Sequence, residues 1–429
     1  MVNMKIAIAG YGLEGESNYR YWSSDLNNSI TIVDQRQPDS AIPSGVETII
    51  GEDAFDKLQN FDIVVRTAGL APRKIKTNGK IWSSTNEFFE KCPAQIIGVT
   101  GTKGKGTTCS LIASILEAAG KNVWLVGNIG NPPLDILENI GRDDYVVYEL
   151  SSFQLWDLSK SPHIAVILFI EQEHMDVHES FGEYVSAKEN ITRFQSPDDT
   201  LVYNCSNKHS SEIASRSKAV LVGYPDINSA HVKDEYFCYG EQTICSVGSL
   251  GILGKFNYDN ACAAIDAIWG ITDDSGVIER GLSSFKGLPH RLQFVREFNG
   301  AKYYDDSIAT IPGAAVAALR AFDGQKVIIL GGSSKGSDFS ELGKELARQD
   351  ARAVIIGAEA DKIVDACQAA GFDDYTVVNE PDMNKIVTAA AGLATRGGVV
   401  LLSPACASFG LFKNYSDRGE QFIAAVNKL

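Results

Sequence analysis

The sequence predicts an α/β fold of three domains, each built on a largely parallel sheet: a Rossmann-like amino-terminal domain (residues 1–92), a central domain of P-loop type (93–289) and a second Rossmann-like domain (290–429). Three observations predict it. A strand, a glycine turn and a second strand ending in an acid open the chain. A lysine-rich glycine loop follows an apolar strand near residue 101. From residue 302 onward, strand-like runs alternate with helical stretches. Such alternation gives parallel strands covered by helices. A length of 429 residues, 44% of them hydrophobic, supplies side chains for more than one core, and ordinary domain sizes make that about three.

In the first domain, an apolar run at residues 5–9 leads into Gly10-Tyr11-Gly12-Leu13-Glu14-Gly15, then a helical stretch and a strand at 29–33 that stops at Asp34. This is the layout of a mononucleotide-binding βαβ unit, in which glycines let the backbone approach a phosphate and the acid receives ribose hydroxyls. Gly12, Leu13, Glu14 and Asp34 are therefore candidate contacts. Arg36 adds a cation placed for a phosphate or a uracil. A bare glycine turn reads equally as a tight bend, and it is the strand context and the spacing of Asp34 that favour a nucleotide.

The pattern breaks at Cys92-Pro93, and a new strand runs over residues 95–100. After it come Gly101, Thr102, Lys103, Gly104, Lys105, Gly106, Thr107 and Thr108. A helix follows whose Leu111, Ile112, Ile115, Leu116 and Ala119 recur at helical spacing before Gly120 ends it. Here successive backbone N–H groups converge on an anion, the helix N-terminus adds its positive end, and Lys105 bridges terminal phosphates. The hydroxyl of Thr107 or Thr108 is placed for magnesium. The strict P-loop pattern fails twice, with Val99 at its first glycine and Gly106 directly after the lysine.

A metal-bound triphosphate also needs carboxylates at the ends of neighbouring strands. The run at 145–149 ends in Glu149, and a strand over 164–170 leads into a loop carrying His174, so both are candidate ligands. Gly287-Leu288-Pro289 marks the hinge into the third domain, where strands near 327–330, 353–356 and 399–402 are separated by helical stretches such as 314–321.

Composition bounds the partners. With 54 acidic and 39 basic residues, a net charge of −15, the chain is a poor match for nucleic acid or an anionic membrane. The 8 cysteines form no C-x-x-C pair, so neither a zinc cluster nor a disulfide framework is indicated, and they read as thiols of a reducing cytoplasm. The apolar start is too short for a signal peptide and no run approaches a membrane span, so a soluble, cytoplasmic protein is expected.

The residues in order resemble the Mur ligase family over nearly the whole chain. The resemblance rests on Thr100-Gly101-Thr102-Lys103-Gly104-Lys105, Gly127-Asn128-Ile129-Gly130, residues 149–155 (ELSSFQL), Glu173-His174-Met175-Asp176, Ala187-Lys188, Asn257-Tyr258-Asp259-Asn260, Gly287-Leu288-Pro289-His290-Arg291, Asp306-Ser307, Gly331-Gly332 with Lys335, and residues 401–408 (LLSPACAS). It implies an ATP-dependent ligase that adds glutamate to UDP-N-acetylmuramoyl-L-alanine through an acyl phosphate, in peptidoglycan synthesis. D-glutamate is the favoured enantiomer and L-glutamate stays open.

The same resemblance implies site residues. Lys105, Lys188, His174 and Lys335 would be catalytic. Thr107, Glu149, His174 and Lys188 would hold two magnesium ions, Lys188 as a carbamate. Asn260, Arg291 and Asp306 would contact ATP, with Asn257 a weaker companion. Thr67, Gly69, Asn128, Ser151 and Gln154 would join the UDP-substrate set. Thr310, Lys335, Ser408 and the backbone near Tyr415 would bind glutamate, with Phe339 beside them or in the core. A monomer acting on small molecules is expected.

Two positions depart from the family pattern. Where the family commonly reads D-S-K-A-T-N this chain has Asp306-Ser307-Ile308-Ala309-Thr310-Ile311, so a lysine has become Ile308, and Phe256 stands where a histidine is frequent. Loss of a cation near a transferring phosphate calls for compensation, from Lys103 or Lys335. The competing readings are another Mur-type or folylpolyglutamate-type ligase and a nucleotide sensor that transfers nothing.

Overall fold

The structure is a computed structural model that describes residues 4–128, 132–333, 336–380 and 382–429. Two compact units emerge: residues up to 250 together with 256–285, and residues 251–255 together with 286–429.

The first unit opens with β1 (Met4–Ala9), β2 (Asn28–Asp34), β3 (Glu47–Ile50), β4 (Ile63–Arg66) and β5 (Lys80–Ser83), paired in parallel in the order β3-β2-β1-β4-β5. Ile6, Ala7, Ile8 and Ala9 are all buried, as a central strand covered on both faces requires. Helix Leu13–Ser23 starts directly behind Gly12, so the glycine turn joins the carboxyl end of β1 to a helix N-terminus.

A second parallel sheet holds β6 (Gln95–Thr100), β7 (Val123–Gly127), β8 (Tyr145–Glu149), β9 (Ile164–Ile167), β10 (Thr200–Asn204) and β11 (Val220–Tyr224), in the order β11-β10-β9-β6-β8-β7. Because β8 and β9 flank β6 in parallel, the loops leaving all three gather at one edge. That edge is where open α/β sheets bind ligands. Helices Phe256–Ile268 and Ser275–Ser284 pack on helix Lys105–Ala118, which the phosphate loop feeds.

Two details differ from the pattern reading. The alternation expected through residue 287 is interrupted by an antiparallel sheet of β12 (Ala230–Lys233), β13 (Tyr236–Tyr239) and β14 (Gln242–Ser246). Its first turn is Asp234-Glu235, both at positive φ (50° and 63°), the twist a two-residue hairpin needs; neither residue is glycine, so the turn was silent in the sequence. The strand expected over 164–170 ends at Ile167, because the chain turns to receive the Thr102 N–H on the Phe169 carbonyl.

In the second unit β15 (Gln293–Phe298), β16 (Ala301–Asp305), β17 (Lys326–Gly331), β18 (Ala351–Ile356), β19 (Tyr375–Val378) and β20 (Val399–Leu402) form a sheet in the order β15-β16-β20-β17-β18-β19. Among these strands the β15–β16 pairing is antiparallel and the others are parallel. Apolar clusters fill both faces, one around Leu330, Ile355 and Leu401 and the other around Ile329, Val354 and Leu402.

Candidate functional site

At the carboxyl end of β1, Gly10 has φ +92°, and a Cβ there would lie 2.2 Å from Thr67 Oγ1. Glycine is required for the loop to touch residue 67. Asp34 Oδ2 accepts the Tyr11 N–H at 2.8 Å and its other oxygen accepts from Arg36 N at 3.2 Å. The acid thus shapes the glycine turn. Glu14 accepts from Ala68 N (2.7 Å) and Ser84 Oγ (2.5 Å), tying the helix start to the loop that carries Thr67 and Gly69. Leu13 is 80% exposed and Arg36 is exposed, while nothing lies within 4 Å of a Cβ at Gly12 or Gly69. One open surface therefore gathers the residues read as nucleotide contacts.

The phosphate loop is drawn tight by its own lysine. Lys105 Nζ donates to the carbonyls of Gly101 (3.1 Å) and Thr102 (2.9 Å). Gly104 precedes the helix at φ +87°, and a Cβ there would sit 2.3 Å from Asn260 Oδ1. That space admits Asn260, which accepts from Thr108 Oγ1 at 3.4 Å and donates to Asn257 at 2.9 Å. Thr102 is buried, its hydroxyl shared among the Glu171 carbonyl (3.0 Å), the Glu171 N–H (3.0 Å) and Tyr184 OH (2.9 Å). Thr107 is buried in the first helical turn, Gly106 lies beside it, and exposed Lys103 pairs with Glu171.

Glu149 ends β8 in a buried position. One of its oxygens accepts from Asn128 Nδ2 at 3.1 Å, whereas Oε2 is buried without a hydrogen-bond partner among the described residues. A buried carboxylate oxygen left open is costly, and a cation would satisfy it. Lys188, 1% exposed, points into the same loop. Its Nζ donates to the Gly101 carbonyl at 2.7 Å and lies 4.6 Å from the Tyr184 ring centroid. Burial, reinforced by the Lys105 charge, holds its ammonium well below the ordinary lysine range, with Glu173 and Glu149 pulling the other way. A neutral amine is the form that reacts with carbon dioxide. His174 sits at φ +57° on the loop after β9, half exposed, 5.0 Å from the Phe153 ring. Among the described residues no three His, Cys, Asp or Glu side chains gather as a metal site.

Ser151 and Gln154 form a reciprocal capping box at the start of helix Ser152–Leu155, Gln154 Oε1 accepting from Ser151 N (2.9 Å) and Oγ (3.0 Å).

In the second unit, buried Asp306 accepts from Ser403 Oγ (2.7 Å) and Leu292 N (3.1 Å). Burial pushes its carboxyl up to about 7. Arg291 is exposed beside buried His290, whose Nδ1 lies 2.6 Å from Asp305. Ile308 is half-buried and donates its N–H to the His290 carbonyl at 3.1 Å. Thr310 follows it. The Tyr415 carbonyl accepts from Ser307 Oγ at 2.7 Å, and Ser408 is buried. Phe339 lies in the core cluster around Leu342 and Ile355, the structural alternative for that ring. Lys335, assigned to catalysis and glutamate, lies outside the described residues, as do Ile129 and Gly130.

Three groups escaped sequence reasoning. Arg66 and Arg418 are both fully buried. Arg418 donates to Ser307 Oγ and carbonyl (2.9 and 2.8 Å), and burial lowers it to about 10. His178 is buried against Ser152 Oγ at 2.9 Å and lowered by burial. The charge of Arg66 at the end of the apolar run Ile63-Val64-Val65 was the signal available.

The family model described as Mur ligase middle domain matches residues 99–268, and that described as Mur ligase, glutamate ligase domain matches residues 290–406. The UDP-N-acetylmuramoylalanine–D-glutamate ligase of Acetivibrio thermocellus is 36% identical, with 100% of this chain and 97% of the relative covered. The protein of that name from Clostridium tetani is 33% identical at the same coverage. Among solved structures, UDP-N-acetylmuramate-alanine ligase from Thermotoga maritima matches with a TM-score of 0.65 at 18% identity, covering 99% of each chain. Folylpolyglutamate synthase from Mycobacterium tuberculosis, complexed with ADP and AMPPCP, matches with 0.60 at 14% identity, over 79% of this chain and 94% of that one. These last two speak for the fold.

Proposed function

The chain belongs to the Mur ligase family, and we propose that within it this protein joins D-glutamate to UDP-N-acetylmuramoyl-L-alanine with cleavage of ATP, a step of peptidoglycan synthesis. One arrangement carries the reading: the loop of residues 101–108, the open Glu149 oxygen and the buried Lys188 amine meet at a single sheet edge. Three domains are proposed, at 1–92, 93–289 and 290–429.

In the first step the acceptor carboxylate attacks the γ-phosphate of ATP and displaces ADP, giving an acyl phosphate, and two anions must approach. Lys105 offsets their repulsion by turning from the Gly101 and Thr102 carbonyls to the phosphates, while the loop N–H groups and helix end hold the triphosphate. Magnesium, two ions when bound, would neutralise the phosphate charge, held by Thr107, Glu149, His174 and Lys188 as its carbamate. Asn260 is proposed as a contact of the adenine end, and Arg291 and Asp306 are proposed as further nucleotide contacts. In the second step the glutamate amine attacks the acyl carbon and phosphate leaves. Thr310, Lys335, Ser408 and the Tyr415 backbone place the two glutamate carboxylates. Ile308 brings no cation, so Lys335 or Lys103 takes that part. The uridine end rests on Gly12, Leu13, Glu14, Asp34, Arg36, Thr67 and Gly69, and Asn128, Ser151 and Gln154 line the arm.

The protein is proposed to act as a cytoplasmic monomer; among the described residues no helix is long and apolar enough to cross a membrane. Incubation with ATP, magnesium, UDP-N-acetylmuramoyl-L-alanine and each glutamate enantiomer, read by product mass and phosphate release, tests the assignment. Product with D-glutamate supports it. Phosphate release only with a diamino acid or a folate, or without any amino acid, overturns it.

A further inference from the structure

Arg66, at 0% exposure, is with Arg418 the largest of the fully buried side chains among the described residues. It ends β4, immediately before the loop that bears Thr67 and Gly69. Its Nη1 faces three carbonyls of that loop, Thr67 (3.3 Å), Ala68 (3.4 Å) and Leu70 (3.4 Å). The rest of the guanidinium turns the other way. Nε donates to Asp157 Oδ2 at 2.9 Å, and Nη2 donates to the second Asp157 oxygen and to the Phe153 carbonyl at 3.0 Å. One rigid fork therefore ties four carbonyls and a carboxylate belonging to two segments more than eighty residues apart in sequence, and Arg has the planar geometry for it.

The surroundings extend the tie. The Trp156 ring lies 5.8 Å from Arg66 and 5.8 Å from Arg73. Arg73 in turn donates to Glu183 (2.7 Å) and to the Val177 carbonyl (2.8 Å), on the stretch following His174. Asn86 donates to the Asp157 carbonyl at 2.9 Å and accepts from Ser159 N at 2.8 Å.

Apolar residues of similar volume seal such a contact at least as well as a buried ion pair does. What a guanidinium adds is fixed geometry. The two segments it fixes carry residues assigned to opposite ends of one substrate: Thr67 and Gly69 at the uridine end, Ser151 and Gln154 at the acyl end. We propose that Arg66 is a positioning residue that holds the 67–70 loop in register with the 151–157 segment, so that binding energy from the nucleotide end is used to place the acceptor carboxylate for reaction. This rests on the acceptor assignment made above. Remote binding energy is expected to appear in kcat when such a register is intact.

The test compares UDP-N-acetylmuramoyl-L-alanine with the same acceptor lacking the uridylyl group, in the unmodified chain and in the double variant Arg66→Met/Asp157→Leu, which replaces the ion pair by apolar packing. Asp157→Asn, which retains one carbonyl acceptor, is the milder companion should the double variant fold poorly. In the unmodified chain, removing the uridylyl group is expected to lower kcat/KM by ~100-fold or more. In the variants that discrimination should shrink by ~10-fold, with KM for ATP unchanged. A parallel loss for both acceptors, leaving the ratio within about twofold, would assign Arg66 to stability alone and overturn the proposal. Absence of glutamate-dependent turnover in the unmodified chain would refute the function instead. The joint is then judged by amide hydrogen exchange: Ala68 and Leu70 should exchange ~10-fold faster in the variants with β1 unchanged, and equal rates would overturn it.

Discussion

Replacing Asp266 by asparagine should reverse its effect on stability between acid and alkaline pH. Asp266 lies on helix Phe256–Ile268 and is 5% exposed. Oδ1 accepts the N–H of Ala230, the first residue of β12, at 2.8 Å, and Oδ2 is buried without a hydrogen-bond partner among the described residues. Burial, with Asp226 adding repulsion, pushes the carboxyl up to about 8 against the Ala230 hydrogen bond. In the unfolded chain the same group ionises near its ordinary 3.8. Between those limits the folded state binds the proton and the unfolded state does not. Its contribution is thus fully present below pH 4 and is lost as pH rises through 8. At about 1.4 kcal/mol per pH unit the interval sets a ceiling of roughly 5–6 kcal/mol, which local relaxation brings nearer ~2–4.

Asparagine keeps the Oδ1 acceptor and leaves two buried N–H donors open where the protonated carboxyl leaves one, a pH-independent cost of about 1 kcal/mol. The variant should therefore be less stable than the parent by ~1 kcal/mol at pH 4 and more stable by ~1–3 kcal/mol at pH 9. Urea unfolding read by tryptophan fluorescence is suitable, since Trp269 directly follows the helix and stacks on Tyr239 with centroids 3.7 Å apart. Taking the difference between variant and parent cancels other titrating groups such as Asp306. Equal differences at pH 4 and pH 9 would refute the claim that Asp266 is held protonated.

Three further outcomes are expected. Lys188→Ala should lower glutamate-dependent turnover by ~100-fold or more, with short carboxylic acids restoring part of it, because a carboxylate can replace a carbamate; loss without rescue in steady-state assays would count against the carbamate. Gly104→Ala forces a side chain to φ +87° and to within 2.3 Å of Asn260 Oδ1, so about 1–2 kcal/mol of strain and a displaced Asn260 should raise KM for ATP by ~10-fold. Ile308→Lys should leave kcat within about twofold, because Lys335 or Lys103 already supplies the charge; a rise of roughly 3–10-fold would show that a cation is missing there.

Much of the fold was legible because parallel sheets covered on both faces write themselves as apolar runs. Met4–Ala9, Tyr145–Glu149 and Val399–Leu402 fall within a residue of their expected positions. The hairpin at Asp234-Glu235 was not legible, since its turn residues are charged rather than glycine. Glu149 could be picked out as an acid ending an apolar run, but its unpartnered oxygen is a tertiary fact. Lys188 shows the limit most clearly. Helical spacing makes it an ordinary lysine, and only packing against Tyr184 and the Gly101 carbonyl makes it a buried amine. Arg66 likewise depends on Phe153 and Asp157, which no local pattern connects to it.

Because residues 256–285 belong to the first unit, that unit is completed only late in synthesis. Helix Lys105–Ala118 is closed by later chain: Ser114 Oγ donates to the Gly281 carbonyl at 2.9 Å across 167 residues. At about 5–20 residues per second, a growing chain exposes that helix for roughly ten to thirty seconds before its cover emerges. A nascent chain halted near residue 250 would therefore present the uncovered flank of the phosphate-loop helix to chaperones, whereas one extended through residue 285 and clear of the ribosome would hide it.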